Sequence, residues 1–268
     1  MKVIVAGFSK TGTKSMRAAL TELGFTVHDY PEHFQYNGEL WRKVLNEGAE
    51  KGDFHRMYDD VDAVVDAPAF YFWREIHEEF PEAKIILTVR DNEDVWFNSW
   101  QNQITQVMKN NFVFKLASSI TPTGYKFNQY SSDVGQTVYG MRRSFIPLVF
   151  HRSFKLNPTL CKKRYREHNA DVIQNAPSDK LLKFNVKDGW GPLCGFLGVQ
   201  QPETPFPRKN VGGTIMDDFM TSHPLFLRLG RETLVSTSLL GGVALMGGWR
   251  AMRFFRSRWG SGKKSTSS

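Results

Sequence analysis

The sequence predicts an α/β fold of three layers, a central parallel sheet between helices, with an apolar and basic helix added at the C-terminus. Three observations predict it. Short continuous apolar runs recur at Val3–Ala6, Ala63–Val65 and Ala83–Val89, the pattern of strands buried on both faces. Helical periodicity fills the intervals between them. A glycine-containing loop joins the first run to the first helix, as in a strand–loop–helix unit.

Taken in order, Val3-Ile4-Val5-Ala6 is a buried strand that ends at Gly7. Met16, Ala19, Leu20 and Leu23 fall at helical spacing, so Ser15–Leu23 is a helix, closed by Gly24. Thr26–His28 is a second strand. Leu40, Trp41, Val44 and Leu45 make Gly38–Glu47 helical. Ala63-Val64-Val65 is the next strand, ending at Asp66 and stopped by Pro68. A helix over Phe70–Phe80 leads to Ala83–Val89, the clearest strand, which ends at Arg90, and a helix follows over Glu93–Met108. Residues 110–175 are expected to be mostly helical and to lie over the sheet. A late strand is expected at Leu181–Val186 and a short helix at Gly189–Leu197. Strands alternating with helices imply right-handed crossovers in a parallel sheet. Pro202, Pro205 and Pro207 mark the exit from this unit, which divides the chain into a domain at 1–212, a linker at 213–232 and a tail at 233–268.

The 268 residues carry a net charge of +8, but Arg250, Arg253, Arg256, Arg258, Lys263 and Lys264 all lie after Glu232, beyond which no acid stands. The domain itself is nearly neutral. That excludes a broad nucleic-acid face and points to a local anionic partner, such as a membrane surface. The two cysteines and seven histidines lack metal-ligand spacing, so no metal site is expected. No apolar signal segment precedes the glycine loop, and the domain is expected to face the cytoplasm. Leu234–Trp249 is uncharged over 16 residues. At ~1.5 Å per residue it reaches roughly 24 Å, against ~30 Å of hydrocarbon. A membrane anchor and a helix packed on its own domain both fit.

The most informative stretch is Gly7-Phe8-Ser9-Lys10-Thr11-Gly12-Thr13-Lys14-Ser15. Between a buried strand and a helix, it aims backbone N–H groups and the positive end of a helix dipole at one point. Lys10 and Lys14 add charge, and Ser9, Thr11, Thr13 and Ser15 add hydroxyls. A Walker A loop has its lysine directly after the second glycine; here Thr13 intervenes, and a further lysine, Lys10, sits inside the loop.

This Lys10-Thr11-Gly12-Thr13 core resembles the 5′-phosphosulfate loop of the P-loop-like sulfotransferases. Ile85–Trp100 (IILTVRDNEDVWFNSW) is similar to the same enzymes' 3′-phosphate segment. Asp29–His33, Asp188–Gly198 and Pro205–Asn210 extend the resemblance over residues 1 to 212, to a divergent sulfotransferase family. It implies 3′-phosphoadenosine-5′-phosphosulfate (PAPS) as donor, PAP as product and a small-molecule acceptor. It implies that Arg90 holds the 3′-phosphate, joined by a serine eight positions on. That position is Asn98, and Ser99 follows it. Arg208-Lys209 resembles the basic pair that closes on the nucleotide, with Asn210 where the family has glycine.

Sulfuryl transfer needs positive charge at the leaving phosphate and a base for the acceptor proton. Lys10 is placed for the first. Asp66, at a strand end two residues before Pro68, stands where the resemblance implies the base, so Asp66 and Lys10 are the expected catalytic pair. Phe112, Phe114, Tyr125, Phe127 and Tyr130 are candidates for an apolar acceptor pocket. Two other readings fit parts of the chain. One is a P-loop kinase or NTPase with Lys14-Ser15 as a shifted Walker pair and Asp66 on Mg²⁺. The other is a membrane-attached nucleotide-binding scaffold. Nothing in the sequence speaks to oligomeric state.

Overall fold

The computed structural model describes residues 1–109, 119–141, 156–209 and 223–260. Five parallel strands, β1 (Val3–Val5), β2 (Val27–His28), β3 (Ala63–Val65), β4 (Lys84–Thr88) and β5 (Leu181–Phe184), form one sheet in the order β2-β3-β1-β4-β5. Ile4 lies level with Val64 on one side and Ile85 on the other. Because side chains alternate along a strand, Ile4, Val64, Ile85 and Leu87 face one core, and Val3, Val5, Val65 and Ile86 face a second.

The second core is closed by α1 (Thr13–Glu22) and α8 (Trp190–Leu197), through Met16, Ala19, Leu20, Leu193 and Cys194. The first is larger and aromatic. It is closed by α2 (Tyr30–Glu47), α3 (Asp53–Tyr58), α4 (Trp73–Glu79), α5 (Glu93–Lys109), α6 (Pro122–Thr137) and α7 (Pro158–Asn175). Trp41, Phe54, Trp96 and Tyr130 are each fully enclosed there. Residues of this bulk, buried completely, each remove a large apolar area from water and so stabilise the layers. This is the expected three-layer α/β/α arrangement.

Several elements differ from expectation in their bounds. The helix expected over Gly38–Glu47 is present, but a further helical stretch precedes it from Tyr30, across a kink at Asn37 (φ −128°, ψ 19°). Asp29 and Glu32 form the capping box that starts this stretch, and Pro31 stands in its first turn, where proline is tolerated. The helix expected from Phe70 begins at Trp73, after a turn. Strand β5 stops at Phe184 and a short 3₁₀ turn, Val186–Asp188, follows. Helix α3 was not anticipated.

The C-terminal helix α9 runs from Pro224 to Gly260, starting inside the stretch read as a linker. Its first turns are docked. Leu225 and Phe226 are buried against Phe34 and Phe127. The Glu232 carboxylate accepts from the Thr123 N–H (3.0 Å) and hydroxyl (2.6 Å) at the start of α6. From Leu234 on, every large apolar side chain through Phe255 is exposed. Among the described residues, no helix is long and apolar enough to cross a membrane.

β1 and β4 approach so closely at their C-terminal ends that a Cβ on Gly7 would lie 1.8 Å from Thr88 Oγ1 and 2.7 Å from both the nitrogen and oxygen of the Thr88 backbone. The hydroxyl can rotate, but the backbone cannot. Gly7→Ala should therefore destabilise the fold by about 3 kcal/mol, at the upper end of typical overpacking costs, read as a lowered midpoint in urea unfolding.

Candidate active site

Residues 7–15 wrap over the C-terminal ends of β1 and β4, and the surrounding side chains hold the loop by its backbone. Trp96 Nε1 donates to the Ser9 carbonyl at 2.8 Å, and Arg90 Nε donates to the Lys10 carbonyl at 2.8 Å. Thr11 is fully buried; its hydroxyl donates to the Phe8 carbonyl and shares a 2.6 Å hydrogen bond with Thr88 Oγ1. Thr11 thus braces the loop, with its hydroxyl turned into the protein. Gly12 has φ 108°, and a Cβ there would lie 2.4 Å from Val186 Cγ1. Only glycine suits that conformation and that gap.

Helix α1 begins directly after Gly12, which offers no capping side chain, and its first turn holds no acid. Helices α2, α6 and α7 are capped by Asp29, Thr121 and Asn157. The start of α1 therefore presents N–H groups and the positive end of its dipole with no capping side chain and no acid of its own first turn. Ser15 is buried beneath it and its hydroxyl accepts the Lys209 N–H at 3.0 Å, which brings the Arg208-Lys209 segment to the same helix end. The Arg208 and Lys209 residues are exposed.

Two lysines flank this point. Lys10, in left-handed backbone conformation (φ 71°), donates Nζ to Gln103 Oε1 of α5 at 3.0 Å. Burial lowers its pKa to about 8; Asp66 opposes this, while Arg90 and Lys14 add to it. Lys14 Nζ lies 2.6 Å from both oxygens of Asp29 and 3.2 Å from Asp66 Oδ2. Burial opposes its charge, but these two carboxylates outweigh burial and raise its pKa.

Asp66 closes the site from the end of β3. Together with Lys10 it makes up the non-glycine residues of positive φ among those described (Asp66 φ 68°), and backbone strain of this kind concentrates at functional sites. Its oxygens are fully engaged. Oδ1 accepts from the Ser9 hydroxyl and from the Ala67 N–H (2.8 Å), and Oδ2 from the Thr13 hydroxyl (3.0 Å) beside the Lys14 ammonium. Burial pushes its pKa up, but Lys14, Ser9, Ala67 and Thr13 together hold it below the ordinary carboxylate value. The Ser9 hydroxyl also pairs with Tyr139 OH at 2.5 Å, and Trp100 stacks on Tyr139 with centroids 4.5 Å apart.

The structure thus brings Ser9, Lys10, Gly12, Thr13, Lys14, Ser15, Asp66 and Arg90 together, with Lys209 at the edge. On α5 it separates the two candidates for the serine position. Ser99 is partly buried and lies on the side of the helix from which Trp96 and Gln103 reach the loop, whereas Asn98 is exposed on the opposite side. Asp29, Gln103 and Tyr139 belong to the site and were not anticipated from sequence. His33, near the cleft, is structural: it donates Nε2 to the Val65 carbonyl, receives the Tyr58 hydroxyl at Nδ1, and burial lowers its pKa to about 3. Of the acceptor-pocket candidates, Phe112 and Phe114 lie outside the described residues. Tyr125 is exposed, and Phe127 and Tyr130 pack on Tyr30 and Phe34.

A helix start without a capping side chain, two lysines and an arginine braced on the loop backbone suit a ligand with two separate anionic groups. A family model described as a sulfotransferase domain matches residues 2–215. The chain belongs to the sulfotransferase-domain family. A relative from Aspergillus versicolor, "Ava biosynthesis cluster protein M", is 31% identical over 224 residues, covering 77% of this chain and 80% of its own. The matched region of this sulfotransferase domain spans all five strands and the whole loop, and ends before α9.

Proposed function

We propose that the protein transfers a sulfuryl group from PAPS to a hydroxyl or amine of a small acceptor, in line and without a metal. The observation that carries the reading is the uncapped start of α1, with Lys10 and Lys14 beside it and Arg90 hydrogen-bonded to the loop backbone. The N–H groups of Thr13, Lys14 and Ser15 hold the 5′-phosphosulfate. Lys10 leaves Gln103 for the bridging oxygen and stabilises the charge left there when the S–O bond breaks. Arg90, whose Nε is committed to the loop, uses its terminal nitrogens on the 3′-phosphate, with Ser99 as the nearby hydroxyl. Arg208 and Lys209 lie over the nucleotide edge.

Asp66 takes the acceptor proton as the new S–O bond forms. With the loop as it stands, three of its four partners, Ser9, Thr13 and Lys14, are loop side chains. The phosphosulfate competes for those same donors. As they turn to it, Asp66 regains lone pairs and loses the charge that depresses its pKa, so donor binding prepares the base.

Incubation with ³⁵S-labelled PAPS and a panel of phenols, alcohols and amines tests the reading. Label in an acceptor, with PAP formed one for one, supports it; PAPS left intact with every acceptor class counts against it. Lys10 adds a pH dependence. Its pKa of about 8 rises when an anion binds beside it, so its contribution to PAP affinity is complete below that value. The contribution is lost as pH rises further, at about tenfold per unit at most. Calorimetry across pH 7 to 10 should show this fall, and Lys10→Met should flatten it.

A further inference from the structure

Helix α9 changes character along its length. It buries Leu225, Phe226 and Leu229, yet from Leu234 to Phe255 its large apolar side chains are 56% to 77% exposed. At about 100° per residue, the large apolar side chains from Leu234 to Trp249 spread across about two-thirds of the circumference, with Leu234 and Leu240 at its edges. That arc is wider than the ~100° stripe by which a helix packs on a protein surface. Serine, threonine and glycine occupy much of the remainder.

Charge is segregated along the helix. Thr233 to Trp249 has none, Arg228 and Arg231 precede it, Arg250, Arg253 and Arg256 follow it, and no acid stands beyond Glu232. Glu232 is itself engaged by Thr123 and Arg228. The Arg253 guanidinium sits 4.4 Å from the centre of the Trp249 ring, and an aromatic ring beside a cation suits the boundary between acyl chains and headgroups. An apolar arc with basic ends is complementary to a leaflet bearing anionic headgroups. The 16 uncharged residues from Leu234 reach roughly 24 Å, short of the ~30 Å needed to span.

We propose that α9 docks the protein on an anionic lipid bilayer, with Leu234–Trp249 sunk into one leaflet and the flanking arginines on the headgroups. Flotation of the full chain with phosphatidylcholine vesicles, with and without phosphatidylserine, tests this. Binding should be strong to the anionic vesicles, weak to the neutral ones, and reduced by salt. Leu239→Glu with Val243→Glu should abolish it, while the fold and the active site stay intact because both positions are exposed. Replacing Arg250, Arg253 and Arg256 by Gln should weaken binding to anionic vesicles on the order of a hundredfold, each arginine being worth about fivefold. Equal binding to both vesicle types, or no binding to either, would overturn the proposal. So would concentration-dependent dimerisation that the Glu variant abolishes without vesicle binding, since a second copy would then cover the helix.

Discussion

Asp66→Asn should lower turnover by about 10²- to 10⁴-fold, the range of general-base catalysis, and leave PAP affinity within a few-fold. The variant is isosteric and keeps an oxygen for the Ser9 hydroxyl and the Ala67 N–H, the partners of Asp66 Oδ1. It gives up the charge facing Lys14, but Asp29 still holds that ammonium through both oxygens. The loss therefore falls on the chemical step. A purely structural role for Asp66 would lower thermal stability and nucleotide binding together with turnover. A second readout separates the two. Asp66 has a depressed pKa in the unliganded protein, and on the proposed mechanism that pKa should rise as phosphosulfate or PAP draws the loop donors away. A group whose pKa rises on binding takes up protons between its two values. PAP affinity should then increase as pH falls through that window, with proton uptake visible in calorimetry run in buffers of different ionisation enthalpy. Asp66→Asn should remove the uptake.

Arg90→Ala should weaken PAP binding by about 10²- to 10³-fold, within the cost of truncating one member of a buried, hydrogen-bonded charge pair. Two losses combine: the contact with the 3′-phosphate, and the hydrogen bond from Nε to the Lys10 carbonyl that fixes the loop. Adenosine 5′-phosphate separates them. It lacks the 3′-phosphate, so its affinity should fall only by the part due to loop support. Arg90→Lys keeps the charge but cannot reach the Lys10 carbonyl and the phosphate with one planar fork, and should recover little of the loss. Equal effects on both nucleotides would assign Arg90 to loop support alone.

What could be read from the sequence was the local part of this site. Strand, glycine loop and helix are contiguous between Val3 and Glu22, so the apolar run, Gly7 and Gly12 carry the geometry in their order. Asp66 and Arg90 were legible for a similar reason, since each ends an apolar strand and strand ends form α/β sites. Gln103 and Tyr139 were not. They meet Lys10 and Ser9 across 93 and 130 positions, and neither residue type in its own segment signals the contact. Asp29 lay in a segment of noted resemblance, but its pairing with Lys14 depends on where α2 enters. The Asp29–Glu32 capping box is the sequence signal for that entry, and Asn37, where α2 kinks, separates it from the periodic stretch that begins at Gly38. The choice between Asn98 and Ser99 rested on helical phase, which packing of Trp96 and Gln103 fixes. For the tail, composition describes Leu234–Trp249 but not whether a facing surface exists; the fold leaves that stretch exposed.

Calorimetric titration of the protein with PAP, beside ATP with and without Mg²⁺, decides between sulfuryl transfer and metal-dependent nucleotide chemistry. PAP should bind tightly, unchanged by chelator, and ATP far more weakly, because ATP would place no phosphate at Arg90. Mg²⁺-dependent ATP binding without PAP binding would contradict sulfuryl transfer and make Asp66 a metal ligand in a nucleotide-hydrolysing or kinase site.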